Sequence, residues 1–428
     1  MDWTVFGIVT GVIIAIIVAV ILTILRFGWK RILIRLGLRQ PISSIEKMQQ
    51  QTTQTVESIE QKVDALEQSL REGFKQDLAI ALDGVVRRAG KERLKNLEQA
   101  AALTKGNKYR DAIRYFQASF EPDMGPSEKM ALHIFIGNCF LRLSELEEAE
   151  GHYRQAEAAA KEAKDREGLA AAMGNIGLVY KTKGELDKAL DYHQQALKID
   201  SEIGNREGEA ADLGNIGNIY QIKGELDKAL KLYEQVLKIE REIGRKWGEA
   251  AALGNMGLIY RVKGELDKAL DCHQQSLKIF REIGLKEGEA SGLGNMGLIY
   301  QTKGEMDKAL DYHQQSLKIE REIGRKEGEA SELGNIGLIY HTKGELDKAL
   351  DYHQRALTID RDIGRKEGEA IRLGNIGIVY HDKGESDKAL EHLRQSLKLF
   401  EEIGAKIEME QTKQNISVIE KQINGRKS

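Results

Sequence analysis

The chain has 428 residues, 41% hydrophobic and 31% charged, and carries 43 glycines against 3 prolines and 2 cysteines. That much glycine with so little proline and so much charge excludes a linker-rich or collagen-like protein, so the glycines must hold particular backbone positions. A net charge of −3 from 64 basic and 67 acidic side chains provides no global field for nucleic acid. Cys139 and Cys272, far apart and in no CxxC pair, provide neither a thiolate metal site nor a disulfide framework.

After a short N-terminus, residues 1–4, the stretch from Val5 to Leu25 holds 21 residues without a charge. At about 1.5 Å rise per residue it reaches across a hydrocarbon core of roughly 30 Å, which predicts a transmembrane helix over 5–25. A cleaved signal peptide is the competing reading, but it wants a basic start, a shorter apolar core and a small-residue cleavage site. Here Asp2 comes before the stretch, and Arg26, Lys30, Arg31, Arg35 and Arg39 come after it. The basic excess predicts a single-pass membrane protein with its N-terminus outside and everything after residue 26 in the cytoplasm. In the basic juxtamembrane segment 26–42, Trp29, Ile32, Leu33, Ile34, Leu36 and Leu38 alternate with the cations. That mixture fits an interfacial helix on an anionic leaflet or a plain stop to translocation.

Beyond Pro41 the chain turns polar, and Ile45, Thr52, Val56, Ile59, Val63, Leu66 and Leu70 recur at steps of three and four after the first. This heptad seam predicts a coiled-coil spacer over 43–88, with β-branched Val56 and Val63 at a positions compatible with a parallel homodimer. A single amphipathic helix packed on the rest of the chain is the alternative.

Residues 174–413 are six consecutive units of 40 residues, and 294–333 match 334–373 at 30 of 40 positions. In one unit Leu213, Ile216, Gly217 and Tyr220 lie on one helical face, Gly224 breaks the helix, and Glu225 opens a second helix with apolar residues at three and four. Each unit is therefore a helical hairpin. Gly217 and Ala229 are the small residues where two helices approach closely, and Gly224 and Gly244 end the helices. Gly137, Phe140, Leu146 and Ala149 fall 40 residues before Gly177, Tyr180, Leu186 and Ala189, which extends the array to a repeat at about 134–173. Residues 94–120, with Ala112 and Phe116, form a degenerate repeat that ends near Pro122 and Pro126. At the other end Ser417 and Glu420 replace the Gly and Tyr of the first helix, as suits a capping helix and tail over 414–428.

This arrangement resembles the tetratricopeptide repeat, whose pattern is a large apolar residue, then x2-Leu-Gly-x2-Tyr, then Ala-x3-aromatic. The usual late proline is missing and six residues are added, in segments such as 238–248, which predicts a longer second helix. The 40-residue unit with Leu-Gly-Asn and Tyr-His is most similar to the repeats of the Pins-type spindle-orientation adaptors, and more distantly to those of kinesin light chains. The resemblance covers about residues 94–423. It implies an all-α, right-handed α-solenoid of helical hairpins over 94–413, preceded here by the transmembrane helix and the coiled coil.

Stacked hairpins build a concave wall from the first helix of each unit. The resemblance implies that the Asn of Leu-Gly-Asn faces inward, which makes a row of Asn175, Asn215, Asn255, Asn295, Asn335 and Asn375. An amide is both donor and acceptor, so such a row can hold the main chain of a peptide, although each Asn could equally tie adjacent hairpins together. Beside it stand Leu178, Asn218, Leu258, Leu298, Leu338 and Ile378, then Lys181, Gln221, Arg261, Gln301, His341 and His381. Chaperone-binding members of the family clamp a terminal carboxylate with Lys four places before the Asn, where this chain has Ala171, Ala211, Ala251, Ser291, Ser331 and Ile371. An internal segment with apolar anchors fits better.

His193, His273, His313 and His353 recur every 40 residues at a motif position that Tyr233 fills in one unit. They read as packed core residues rather than metal ligands, since no thiol or carboxylate recurs at ligand spacing beside them. Trp247, where other units have Glu, is either a partner anchor or a cover for the adjoining hairpin. Gly-Asn-Ile-Gly lies within helices and is no phosphate loop. No catalytic constellation stands out, and no metal or cofactor is expected. The expected function is a membrane-anchored scaffold or adaptor that binds protein or peptide partners through the Asn-lined groove, with peptide contacts from the six Asn, Leu258, Leu298, Leu338, Arg261, Gln301 and His341. The alternative is a structural or assembly factor for a membrane complex that uses a broad solenoid surface.

Overall fold

The computed structural model describes residues 91–427. The expected transmembrane helix, juxtamembrane segment and coiled coil all lie outside the described residues. Those that are described form seventeen α-helices and no strand. The chain divides after Ala163 into two compact units. The first holds α1 (Lys91–Lys105), α2 (Tyr109–Gln117), α3 (Pro126–Arg142) and α4 (Leu146–Ala163). The second begins with α5 (Arg166–Thr182), α6 (Leu186–Ile203), α7 (Arg206–Ile222), α8 (Leu226–Glu242), α9 (Lys246–Val262) and α10 (Leu266–Glu282). It continues with α11 (Lys286–Thr302), α12 (Met306–Glu322), α13 (Lys326–Thr342), α14 (Leu346–Asp362), α15 (Lys366–Asp382), α16 (Ser386–Ile403) and α17 (Lys406–Lys427).

Local chemistry sets these boundaries. Asp165 caps α5 by accepting from Gly168 N at 2.9 Å, and Asn205 does the same for α7 through Gly208 N at 3.2 Å. The first helix of a hairpin stops because Gly224 takes φ +75°, a left-handed conformation that glycine reaches without a Cβ clash, so that Glu225 N bonds Tyr220 O at 2.8 Å. The second stops the same way at Gly244, φ +72°, and Arg245 N then bonds Glu240 O at 2.9 Å.

The helix lengths correct one expectation. The second helix Leu226–Glu242 has 17 residues and so does the first helix Arg206–Ile222, so the extra residues are shared between them. The segment 238–248 holds the end of α8, a turn, and the start of α9. Hairpins stack through small apolar clusters, such as Ala210, Leu213, Val236, Ile239 and Ala252 across α7, α8 and α9. Burial of each large member contributes about 1.5–3 kcal/mol. Ala229, Ala269, Ala309, Ala349 and Ala389 are fully buried where paired helices come closest. The final helix α17 packs Ile416, Ile419 and Ile423 on the end of the second unit beside Ala389, Leu390 and Leu393, leaving Ile407 79% exposed.

The single-pass topology expected from the sequence is corrected: among the described residues no helix is long and apolar enough to cross a membrane. The second helix α8, for instance, reads LDKALKLYEQVLKIERE and carries charge along its exposed face. Such a stripe buries one side against neighbours and keeps the other in water.

Candidate functional site

In the second unit the first helices of neighbouring hairpins touch directly, α5 with α7, α9 with α11 and α13 with α15. They bring the Asn positions into one row. Asn175 is 8% exposed, and Asn215, Asn255, Asn295, Asn335 and Asn375 are half-buried. No side-chain hydrogen bond joins any of the six to another described residue, and the buried Nδ2 of Asn175 has no partner. Leu258, Leu298 and Leu338, three residues further on, and Arg261, Gln301 and His341, three beyond those, are also half-buried. On a helix these steps stay within one face about 120° wide, so the predicted residues share a single surface. His341 has a partner there: its Nε2 lies 2.7 Å from Asp382 Oδ2 in the next hairpin.

Behind this face the helices of a hairpin meet through glycine. His193, His273, His313 and His353 are at most 1% exposed, and each lies flat against the Gly of its own hairpin. A Cβ on Gly257 would sit 2.7 Å from His273 Nε2. His193 Nδ1 lies 3.0 Å from Asp212 Oδ1 and His313 Nδ1 lies 2.6 Å from Glu332 Oε2, both buried and both on the following hairpin. The corresponding residues after His273 and His353 are Gly292 and Arg372. Burial, and secondarily the Arg261 cation, push His273 down to about 4; burial, and then Arg372 and His341, push His353 down to about 3. These imidazoles are buried packing groups, and among the described residues no group of three or more His, Cys, Asp or Glu could hold a metal ion.

One arrangement escaped sequence reasoning. Where Tyr replaces the histidine, Asn replaces the wall leucine fifteen residues earlier, and the two bond: Tyr233 OH donates to Asn218 Oδ1 at 2.7 Å and Tyr153 OH to Asn138 Oδ1 at 2.6 Å. The longer phenol passes over Gly217, its Cζ 3.1 Å from where a Cβ would be, and its hydroxyl needs an acceptor that Leu cannot supply. The paired change between units was the signal available in the sequence. Trp247 is 41% exposed with the Arg245 guanidinium 5.9 Å from its ring, outside the Asn row.

Fold and stacking together define a helical-hairpin repeat protein. The tetratricopeptide repeat family matches residues 128–202, 181–242, 208–282, 248–322, 288–362 and 328–402, and the chain belongs to that family. No curated protein matches it. Among solved structures it is similar to the apo quorum sensor NprR from B. thuringiensis, at 17% identity and TM-score 0.58, covering 80% of this chain and 99% of that one. Aspartyl phosphate phosphatase F from Bacillus subtilis is similar at 14% identity and TM-score 0.54, covering 80% and 94%. A Rap protein complexed with Competence and Sporulation Factor is similar at 15% identity and TM-score 0.53, covering 86% and 99%. At these identities the likeness is one of fold.

Proposed function

We propose that the chain is a non-enzymatic binding scaffold whose concave wall holds a peptide segment of a partner protein. The observation that carries this reading is the row of six Asn in one register, none of them hydrogen-bonded to another described residue. Had these amides served to tie hairpins together, they would be joined to their neighbours. Free amides one repeat apart can instead hold successive main-chain groups of a ligand, while Leu258, Leu298 and Leu338 receive its apolar side chains and Arg261, Gln301 and His341 border it. The right-handed sense of the superhelix and the Pins-type variant of the repeat belong to the same reading. The Rap protein found in complex with Competence and Sporulation Factor is a precedent on this fold for ligand capture.

Panning a displayed random-peptide library on the full chain tests the proposal. Binding peptides should be enriched, and Asn255→Ala, Asn295→Ala and Asn335→Ala together should weaken the selected peptides by more than about tenfold with helicity unchanged by circular dichroism. Undiminished binding by the triple variant moves the site to another surface.

A further inference from the structure

Between them, the hairpins α7–α8 and α9–α10 combine features absent from the other hairpins of the second unit. Asn218 replaces Leu and is held by the Tyr233 hydroxyl through its Oδ1, which leaves its two amide hydrogens for an acceptor outside the chain. At the next exposed turn Ile222 and Val262 are 61% and 63% exposed. In three other hairpins that position is Thr182, Thr302 or Thr342, whose hydroxyls bond back to the carbonyls of Leu178, Leu298 and Leu338 at 2.9 to 3.0 Å, and in the last it is Asp382. The substitution thus trades a self-satisfied polar residue for unpartnered β-branched apolar surface. A cleft of about 430 Å³ opens just beyond, between the turn Gly224 to Lys228 and Lys263.

Charge on the same wall is one-sided. Its outer row reads Lys181, Gln221, Arg261, Gln301, His341 and His381. Asp382 is the acid beside that row, and His341 engages it. The cations of the cleft, Lys228 and Lys263, are paired with Glu225 and Asp227, whereas Arg261 forms no ion pair with any described residue and can meet a ligand.

We infer that Asn218, Ile222, Arg261 and Val262 form a specificity subsite for a segment that places an apolar side chain next to a carboxylate. The apolar group covers Ile222 and Val262, and the carboxylate accepts from the Asn218 amide and the Arg261 guanidinium. Tyr233 is a positioning residue that holds Asn218 in place. The inference rests on the reading of the wall as a binding surface, but it concerns selectivity rather than binding itself.

Fluorescence anisotropy on the full chain provides the test, with short fluorescein-labelled peptides that alternate Leu with Glu and counterparts carrying Lys for Glu or Ser for Leu. The Leu-Glu peptide should bind about tenfold more tightly than either counterpart. Ile222→Thr with Val262→Thr, residues the neighbouring hairpins already accommodate, should erase the Leu-over-Ser preference, and Arg261→Gln should erase the Glu-over-Lys preference. Asn218→Leu with Tyr233→His, the pair found in other hairpins, should weaken Leu-Glu binding without loss of helicity. Preferences that survive these changes overturn the subsite, and equal binding of all three peptides does so too. If the Asn255/Asn295/Asn335 triple variant loses binding while the peptides are not discriminated, the wall stands and the subsite falls. If the triple variant still binds and discriminates them, the Asn-row reading falls. A shift from dimer to monomer in the Thr double variant, with peptide binding unaltered, identifies Ile222 and Val262 as a contact between copies and overturns the inference.

Discussion

Tyr233 is 1% exposed, and its hydroxyl lies 2.7 Å from Asn218 Oδ1, so each residue depends on the other. Tyr233→Phe should cost about 1 kcal/mol, the net worth of a neutral hydrogen bond. Asn218→Leu and Tyr233→His should each cost more alone than the double change implies, with a coupling of about 0.5–3 kcal/mol from a double-mutant cycle of urea midpoints. Strict additivity would show that the pair is incidental. The glycines give an equally local test, because they look alike in sequence and differ in space. A Cβ on Gly257 would lie 2.7 Å from buried His273, whereas one on Gly214, inside α7, meets nothing within 4 Å. Gly257→Ala should therefore destabilise by about 1–3 kcal/mol. Gly214→Ala should stabilise by up to about 1 kcal/mol through helix propensity. Thermal melts of the two variants that move the same way would contradict this assignment.

Hairpins carry the pH response. His273 and His353 stay neutral in the fold down to about 4 and about 3, while the unfolded chain takes up its protons near the ordinary value. The unfolded state then binds more protons below about 6.5, so stability is full above that pH and falls as pH drops toward 4. Asp200 acts in the opposite sense: burial lifts it to about 6, so its penalty is present above that pH and is relieved as pH falls through 6 toward 3.8. A difference measurement separates the two. His273→Leu, mirroring buried Leu393 of the last hairpin, should remove a drop on the order of 1–3 kcal/mol between pH ~7 and ~4 from the urea-unfolding profile. An acid limb of unchanged slope would rule out His273 as its source. That helical hairpins exist was legible from the 40-residue period, because the 3.6-residue apolar pattern and the glycine breaks report local structure. How the added residues divide between the two helices was not, because Gly244 marks where a helix ends but not how the residues on either side of it are shared between α8 and α9.

Along the second unit, ion pairs run from hairpin to hairpin, Lys223 with Asp187, Lys263 with Asp227, Lys303 with Asp267, Lys343 with Asp307 and Lys383 with Asp347, at 2.5 to 2.8 Å. Their carboxylates are 82–91% exposed, so water and salt screen them. Replacing Lys263 by Gln should leave the melting temperature unchanged within error, whereas Ala269→Leu, at a fully buried close contact, should lower it markedly. If the lysine change is the costlier, the ladder and not the apolar stack holds the hairpins together. The sequence by itself determined the repeat family, the hairpin and the row of Asn, because a period repeated at 30 of 40 positions leaves one register in which all units stack. Only the tertiary structure decided which of those residues keep free polar groups, that Asn218 answers to Tyr233, and that Ile222 and Val262 stand exposed. The reason is physical: periodicity assigns each residue to a helical face, but the partner opposite that face comes from a helix elsewhere in the chain, and its identity differs from one hairpin to the next.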